Sequence, residues 1–270
     1  MRRRLDTELV RRGLAESREL AQLAIADGRV RVRGSVADKP ARQVDDGDPV
    51  IIIGPGPRFV SRGGEKLDAA LIRFGVNVEN CVALDAGAST GGFTDCLIQR
   101  GAQRVVCVDV GHAQLHERMR SHPRVENHER INVRTLRPVD LDNRRFELIV
   151  GDLSFISLRA VAPALVGMAS PVAELVLLVK PQFEATRAEV GRGRGVVRDS
   201  AVWRRALDGV VTAFAQVGAT MMGAMASPLT GTDGNVEFLV HFHVGGDGGG
   251  GGDERADSMV ADALSEVMLP

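Results

Sequence analysis

Apolar positions in the first fifty residues change their period once, from helical to alternating. Leu5, Leu9, Val10 and Leu14 recur at helical spacing, as do Leu20, Leu23, Ala24 and Ile25, which predicts two short helices. Ser17 is a natural N-cap for the second helix and Gly28 a natural stop. The segment "RVRVRGSVADKPARQVDDGDPVIII" then alternates and turns, as short strands joined by glycine and proline turns do. This compact α+β module ends near Ile53, and "GPGPR" after it reads as a stiff linker. The expected domains are therefore residues 1–54, a connection over 55–62, and a body over 63–270.

In the body, apolar runs alternate with helical patterns. Strands are expected at Cys81–Asp85, Arg104–Asp109, Glu147–Asp152 and Leu175–Lys180. A later pair, Thr220–Ala226 and Val236–Val244, is separated by the turn-rich "SPLTGTDGN", which suits an antiparallel hairpin. This pattern predicts an α/β domain whose mostly parallel sheet carries helices on both faces. The glycine-rich stretch 245–252 reads as a flexible linker, and "ERADSMVADALSEVML" as one last amphipathic helix whose docking such a linker leaves open.

Composition changes this picture in two places. Residues 1–43 hold ten Arg and one Lys against six Asp or Glu, a net of +5 in a chain whose total is −1. A basic module on a mildly acidic body suggests that the module meets a polyanion. Lysine, in contrast, is scarce: Lys39, Lys66 and Lys180 stand against 31 arginines. Arginine does not give up its proton in a protein, whereas lysine can be tuned to do so. No apolar run approaches the roughly 18 residues needed to span a bilayer, and no signal-peptide pattern opens the chain. Cys81, Cys96 and Cys107 are odd in number and lack C-x-x-C spacing, so they read as reduced buried thiols in a cytoplasmic protein, not as a disulfide frame or metal site.

The richest stretch is "VALDAGASTGGFTDCL". An apolar strand ends at Asp85, a loop of small residues follows, and a helix begins near Gly92 or Phe93. The spacing fits neither a nucleotide-triphosphate loop nor the G-x-G-x-x-G of dinucleotide sites. Ligands of doubly wound sheets bind at the carboxyl ends of the strands, where glycines admit close backbone approach. Asp109 ends the next strand about 20 residues on, where a carboxylate receives ribose hydroxyls. Two acids so placed suit a ligand bearing both an amino acid and a ribose. Asp152 and Lys180 end later strands, Lys66 opens the first helix of the body, and Glu237 lies in the hairpin. Strand ends that share one edge would bring Asp152 and Lys180 to the side of the glycine loop, as an ordinary salt bridge or, with Lys66 and Glu237, as one network that could take a proton from a hydroxyl as it attacks an electrophile.

These motifs carry a resemblance. "LDAGASTGGFT" and "VDVG" resemble the methionine loop and ribose-binding strand end of Rossmann-type S-adenosylmethionine-dependent methyltransferases. Lys66, Asp152, Lys180 and Glu237 resemble the Lys–Asp–Lys–Glu tetrad of ribose 2′-O-methyltransferases. The amino-terminal stretch resembles the RNA-binding module of the small-subunit ribosomal protein four family. With "FVSRGGEKL", "DLSFISL", "LVKPQFE" and "GNVEF" in order, the chain is similar to the TlyA family, bacterial ribosomal-RNA 2′-O-methyltransferases also described as haemolysins.

The resemblance implies transfer of a methyl group from S-adenosylmethionine to a ribose 2′-hydroxyl in ribosomal RNA within the subunits, with cytidine the expected nucleotide. Lys180 would serve as general base or hydroxyl-orienting group, Asp152 and Lys66 would position it, and Glu237 would complete the network. Asp85 with Gly87, Ser89, Thr90, Gly91, Gly92, Phe93 and Thr94 would hold the methionine part, Asp109 the ribose, and Asn132 and Val133 the adenine. Arg4, Arg11, Arg12 and Arg18 are the candidate phosphate contacts, and no metal is expected. Three other readings are a cytolysin, a pseudouridine synthase and an inactive ribosome-assembly factor. The first would need a membrane-active segment that is not visible here, the second leaves the methionine-like loop unexplained, and the filled tetrad speaks against the third. The chain has no tyrosine, so any base stacking must use Phe, His or Arg.

Overall fold

The computed structural model describes residues 2–15, 17–192, 195–245 and 252–268. Contacts divide the chain into two compact units, Met1–Arg62 and Gly63–Pro270.

In the first unit, helices α1 (Leu5–Arg11) and α2 (Arg18–Ala26) pack on short strands. Strand β1 (Arg3–Arg4) pairs with β4 (Gln43–Val44), while β2 (Val30–Val32) lies between β3 (Ser35–Val36) and β5 (Val50–Ile52). The Ser17 hydroxyl accepts from the Leu20 amide at 3.2 Å, capping α2, and Gly28 at φ +66° ends it. Leu5, Leu9, Ala24, Ile25, Val30 and Val50 form its core. Beside that core sit two acids with no exposed surface, Asp6 and Glu8.

Their partners are the arginines of the basic face. Asp6 accepts from Arg4, Arg18 and Gln22 at 2.9–3.1 Å, and Glu8 from Arg11 at 2.5 Å and Arg12 at 2.7 Å. Burial alone would raise Asp6, but the bonds from Arg4, Gln22, Arg18 and the Thr7 amide outweigh it and hold its carboxyl well below the usual range. The Arg11 bond first, then that of Arg12, holds Glu8 near about 2 against its burial. Acids lowered by folding stabilise the fold above their unfolded pKa, and that stabilisation is lost as pH falls through the folded value.

The second unit is a seven-stranded sheet in the order β11-β12-β10-β9-β6-β7-β8. Its strands are β6 (Val82–Ala86), β7 (Arg104–Asp109), β8 (Val125–Glu129), β9 (Phe146–Gly151), β10 (Ala169–Val179), β11 (Ala219–Ala226) and β12 (Phe238–Val244). The pairs from β8 across to β10 are parallel, and β12 is antiparallel to both β10 and β11. The helices are α3 (Gly63–Phe74), α4 (Gly92–Gln99), α5 (Glu117–Arg120), α6 (Leu158–Met168), α7 (Pro181–Glu184), α8 (Arg187–Arg192), α9 (Ser200–Ala215) and α10 (Gly252–Met268).

Alternate residues of the strands explain why the sheet is covered on both sides. Leu84, Val106, Ile149, Leu177 and Val240 join one core with Leu165 of α6 and Val210 of α9. Their neighbours Ala83, Val105, Leu148, Val176 and Leu239 are equally buried, and Phe74 of α3 stacks on His241 at 5.4 Å. Strand β10 starts six residues earlier than the apolar run suggested. Its first half, "ASPVAE", is interrupted between Ala169 and Glu174 and contains a proline, which hid it from a pattern search. The final helix does dock: Val260 and Ala263 are fully buried and Glu266 accepts from the Ala226 amide at 2.8 Å, covering β11. Most of the glycine run before it lies outside the described residues. Trp203 is a core residue, with its indole N–H donated to the Val197 carbonyl at 3.0 Å.

Replacing Asp6 by Ala leaves Arg4, Arg18 and Gln22 without their shared acceptor and is expected to cost about 2–3 kcal/mol. Chemical denaturation of the full chain should show the loss at pH 7, and it should shrink as pH falls toward 2. An unchanged midpoint at pH 7 would show that these ion pairs are only decorative.

Candidate active site

The parallel strands β6, β7, β9 and β10 end along one edge, and the loops leaving them build the site. After β6 the chain turns through Gly87 at φ +83°, where a Cβ would lie 2.9 Å from Leu153 Cδ2 and 3.0 Å from the Asp152 carbonyl oxygen. Only glycine lets the β6 loop approach the β9 loop so closely. Gly91, at φ +92°, caps α4, and a Cβ there would meet Leu115 at 2.7 Å.

These loops enclose a cleft of about 470 Å³. Gly87, Ser89, Asp109, Asn132, Val133 and Asp152, all expected from sequence, line it. Asp109 is fixed by two backbone donors, Ser89 N at 2.8 Å and Gly111 N at 2.6 Å, which leave further lone pairs on each oxygen. Asn132 accepts from the Arg134 amide at 3.0 Å and thereby shapes the single turn Val133–Thr135. A larger, more open cleft of about 800 Å³ lies beside it, shares Ile131 and Asn132, and carries Arg130, Arg134 and Arg137. It has none of the strand-end acids, so the smaller cleft is the candidate cofactor site.

Other expected residues lie behind the cleft lining. Gly91, Gly92, Phe93 and Thr94 are buried, Thr90 is half-buried, and Asp85 has no exposed surface. Asp85 Oδ2 accepts from Thr94 Oγ1 at 2.6 Å, Thr94 Oγ1 also lies 3.0 Å from Cys107 Sγ, and Asp85 Oδ1 has no hydrogen-bond partner among the described residues. Burial pushes Asp85 up from its ordinary value near 3.8 to about 7. The Thr94 bond opposes this shift, while the Asp152 and Asp109 charges add to it. Burial likewise pushes the Cys107 thiol up. Asp85 thus shapes the loop from beneath.

The tetrad residues form two ion pairs. Lys180 Nζ lies 2.6 Å from Asp152 Oδ1, but that oxygen makes no hydrogen bond; the ammonium instead donates to Ser154 Oγ at 2.8 Å. The Asp152 contact is therefore a charge contact. Buried Lys66 donates to Glu237. Strand register relates the two pairs: Val179 lies opposite Phe238, so the next step sets Lys180 opposite Glu237. A Cβ on Gly231 would fall 2.6 Å from Glu237 Oε1, so glycine lets the hairpin loop fold over this carboxylate.

Both units match known families. Residues 59–244 match the FtsJ-like methyltransferase model and residues 3–50 the S4 domain model. The 16S/23S rRNA (cytidine-2′-O)-methyltransferase TlyA of Mycobacterium tuberculosis is 48% identical over 88% of this chain and 89% of its own length. The chain belongs to the TlyA family of FtsJ-like methyltransferases. A solved haemolysin-named structure from Streptococcus thermophilus is 38% identical, covers 99% of this chain and 97% of its own, and has a TM-score of 0.77. The fold alone recurs in an S-adenosylmethionine-dependent methyltransferase of Listeria monocytogenes, at 11% identity and a TM-score of 0.52, over 68% of this chain and all of that one.

Sequence reasoning missed several cleft residues of this TlyA-family chain: Gln114, Leu153, Ser154, Phe155 and Ile156. Phe155 is 92% exposed with φ +64°, an uncommon conformation for a bulky residue, and packs on Phe183 at 5.3 Å. "DLSFISL" was legible as a motif, but nothing in it announces that its phenylalanine faces solvent. The candidate RNA contacts divide. Arg4, Arg11 and Arg18 keep 42–57% of their side chains exposed beside their carboxylate partners. Arg12 is 19% exposed and is bonded to Glu8 and to the carbonyls of Asp45, Asp46 and Asp48, so it holds the 45–48 turn.

Asp85→Asn tests the buried carboxyl. When folded, Asp85 retains a proton that the unfolded chain releases near about pH 4. Its contribution to stability therefore falls as pH rises from there to about 7 and is flat above. The loss is on the order of 4 kcal/mol. Asparagine keeps an acceptor for Thr94 without the charge. Its melting temperature should exceed wild type at pH 8 and approach it at pH 5. An equal offset at both values would show that Asp85 is not titrating.

Proposed function

We propose that this chain transfers a methyl group from S-adenosylmethionine to the ribose 2′-hydroxyl of cytidine in ribosomal RNA. The observation that carries this reading is Lys180: it ends β10 in contact with Asp152 and Ser154, two residues that line the cleft, with the Lys66–Glu237 pair one register step away. The relative in M. tuberculosis bears that activity in its name, and the S4 domain supports an RNA substrate.

The cleft suits the cofactor. Asp109 offers lone pairs to ribose hydroxyls, Ile131, Val133 and Ile156 give an apolar berth for adenine, and Gly87 and Ser89 present backbone for the methionine part. When bound, S-adenosylmethionine supplies a methyl group already activated on a sulfonium. The protein's share is alignment and proton removal. Lys180 Nζ would orient the acceptor hydroxyl and, in the neutral form left after giving one proton to solvent, would take up the hydroxyl proton as the oxygen is methylated. Asp152 and Ser154 fix the direction of the Lys180 side chain, and the Lys66–Glu237 pair closes the far side.

Phe155 and Phe183 offer an exposed aromatic surface for the target base, next to Lys180, which lies 5.9 Å from the Phe183 ring. Arg4, Arg11 and Arg18 in the S4 domain, with Arg130 and Arg134 in the neighbouring open cleft, are available to RNA phosphates. Among the described residues no helix is long and apolar enough to cross a membrane.

With labelled S-adenosylmethionine and unmodified ribosomal subunits, wild type should place methyl groups on ribose 2′-oxygens. Label found only on bases would overturn the reading. Lys180→Arg keeps the charge but cannot accept the proton, so methyl transfer should fall by roughly 10²–10⁴ while cofactor affinity stays near wild type. Transfer at the wild-type rate would remove Lys180 from the chemistry. Phe155→Ala should weaken productive RNA binding by about 1–3 kcal/mol, more than it changes cofactor affinity. A change in cofactor affinity alone would reassign Phe155 to the cofactor.

A further inference from the structure

Lys180 stands at the start of one loop, and its two contacts, Asp152 and Ser154, stand on another. Neither loop is regular: the first is the single turn Pro181–Glu184, and the second runs from Asp152 to Ser157 through the positive φ of Phe155. Besides Lys180 itself, a buried side chain joins them. Glu184, with a side chain only 1% exposed, accepts from Ser157 Oγ at 2.5 Å, from the Leu158 amide at 2.6 Å and from Arg159 Nε at 3.1 Å. Arg159 also donates through Nη2 to the Glu184 carbonyl at 2.9 Å, and its stem runs 3.3 Å from where a Cβ on Gly209 of α9 would lie.

We infer that Glu184 is a positioning residue: it staples the Asp152–Ser157 loop to the Lys180–Glu184 turn and so sets where Lys180 meets Ser154 and Asp152. Glu184 lies four residues beyond Lys180, and Ser157 and Leu158 lie three and four beyond Ser154. The carboxylate therefore ties the two loops together a few residues beyond the Lys180–Ser154 contact. It also occupies the amino end of the eleven-residue α6, where backbone N–H groups favour a negative charge. The Pro181 ring adds stiffness on the other side by fixing φ just after Lys180. Phe155 and Phe183, one on each loop, hold their 5.3 Å contact only while the staple keeps the loops together. A displacement of about 1 Å at such a constellation is enough to cost about 10²-fold in rate.

The inference rests on the proposed function, and the test separates the two. Full-length wild type, Glu184→Ala, Glu184→Gln, Ser154→Ala and the Glu184→Ala/Ser154→Ala double variant would be compared in single-turnover methyl transfer at saturating RNA and cofactor. Glu184→Ala should transfer roughly 10–100-fold more slowly while cofactor and RNA affinities are retained. Glu184→Gln, which keeps an acceptor for the Leu158 amide, should recover part of the loss. Because Glu184 acts through the Ser154–Lys180 contact, the double variant should be little slower than the worse single one. Amide exchange of residues 154–158 should quicken in Glu184→Ala without RNA or cofactor present. If wild type moves no methyl group to ribose, the functional reading fails, and the exchange result still judges the staple. If wild type is active, the staple is overturned by any of three results: Glu184→Ala transferring normally, losing only RNA affinity, or multiplying with Ser154→Ala.

Discussion

The site depends on the register of β10. This strand is parallel to β9 on one side and antiparallel to β12 on the other. The parallel side delivers the β9 loop, with Asp152 and Ser154, to the carboxyl end of β10. The antiparallel side delivers the start of β12, with Glu237, to the same place. No purely parallel sheet would do this, because its next strand would also end, not begin, at that edge. Lys180 is thus flanked by acids from two directions by topology, before any side chain chooses a rotamer. A shift of one residue would turn Lys180 to the other face of the sheet and dissolve the arrangement.

Such concentration of charge has a cost that the fold meets unevenly. Asp152 and Glu237 each meet a lysine, and Asp109 is held by two amides. Asp85 alone is fully buried with one hydroxyl donor and an unpartnered oxygen, which is why its proton is retained to near neutral pH. Groups that the fold would not keep for stability alone collect at sites that bind and react. The amino-terminal unit shows the opposite economy. Its buried Asp6 and Glu8 are ringed by arginines, so much of the basic charge that marked the module in sequence first holds the module together. Arg4, Arg11 and Arg18 still keep part of their side chains exposed, as do Arg2 and Arg33.

How far the sequence spoke depended on the range of the interaction. Strand ends were legible because apolar runs stop sharply at Asp85, Asp109, Asp152 and Lys180, and the boundaries moved by at most a residue or two there. The pairing of β10 over its first half was not, because Pro171 and the irregularity after Ala169 break the apolar pattern. The tetrad residues were visible as scarce lysines and strand-end acids, but which lysine meets which acid is set by register between partners 28 and 171 positions apart in the chain. The loop after β6 was visible as a unit, yet its division into lining residues (Gly87, Ser89) and buried residues (Asp85, Phe93, Thr94) follows from the turn at Gly87 and from packing against β7 and β9. Composition and spacing do not encode that packing. Arg12 and Phe155 are the clearest cases. The first was a candidate phosphate contact and is bound to three carbonyls; the second stood in a legible motif that gave no sign that it is almost wholly exposed.

The scarcity of lysine acquires a physical meaning from these contacts. Lys66 and Lys180 occupy narrow berths, with 8% and 11% of their side chains exposed, and each presents one compact ammonium to a carboxylate. A guanidinium brings five donors in a planar fork, and a berth built for one nitrogen would leave several of them buried without acceptors. Where this fold wants a fork it uses one: Arg159 spans the side chain and carbonyl of Glu184, and Arg12 gathers three backbone carbonyls. The choice between the two cations therefore follows geometry at both kinds of place. At the end of β10 lysine also differs from arginine in being able to lose its proton, which is what the role proposed for Lys180 requires.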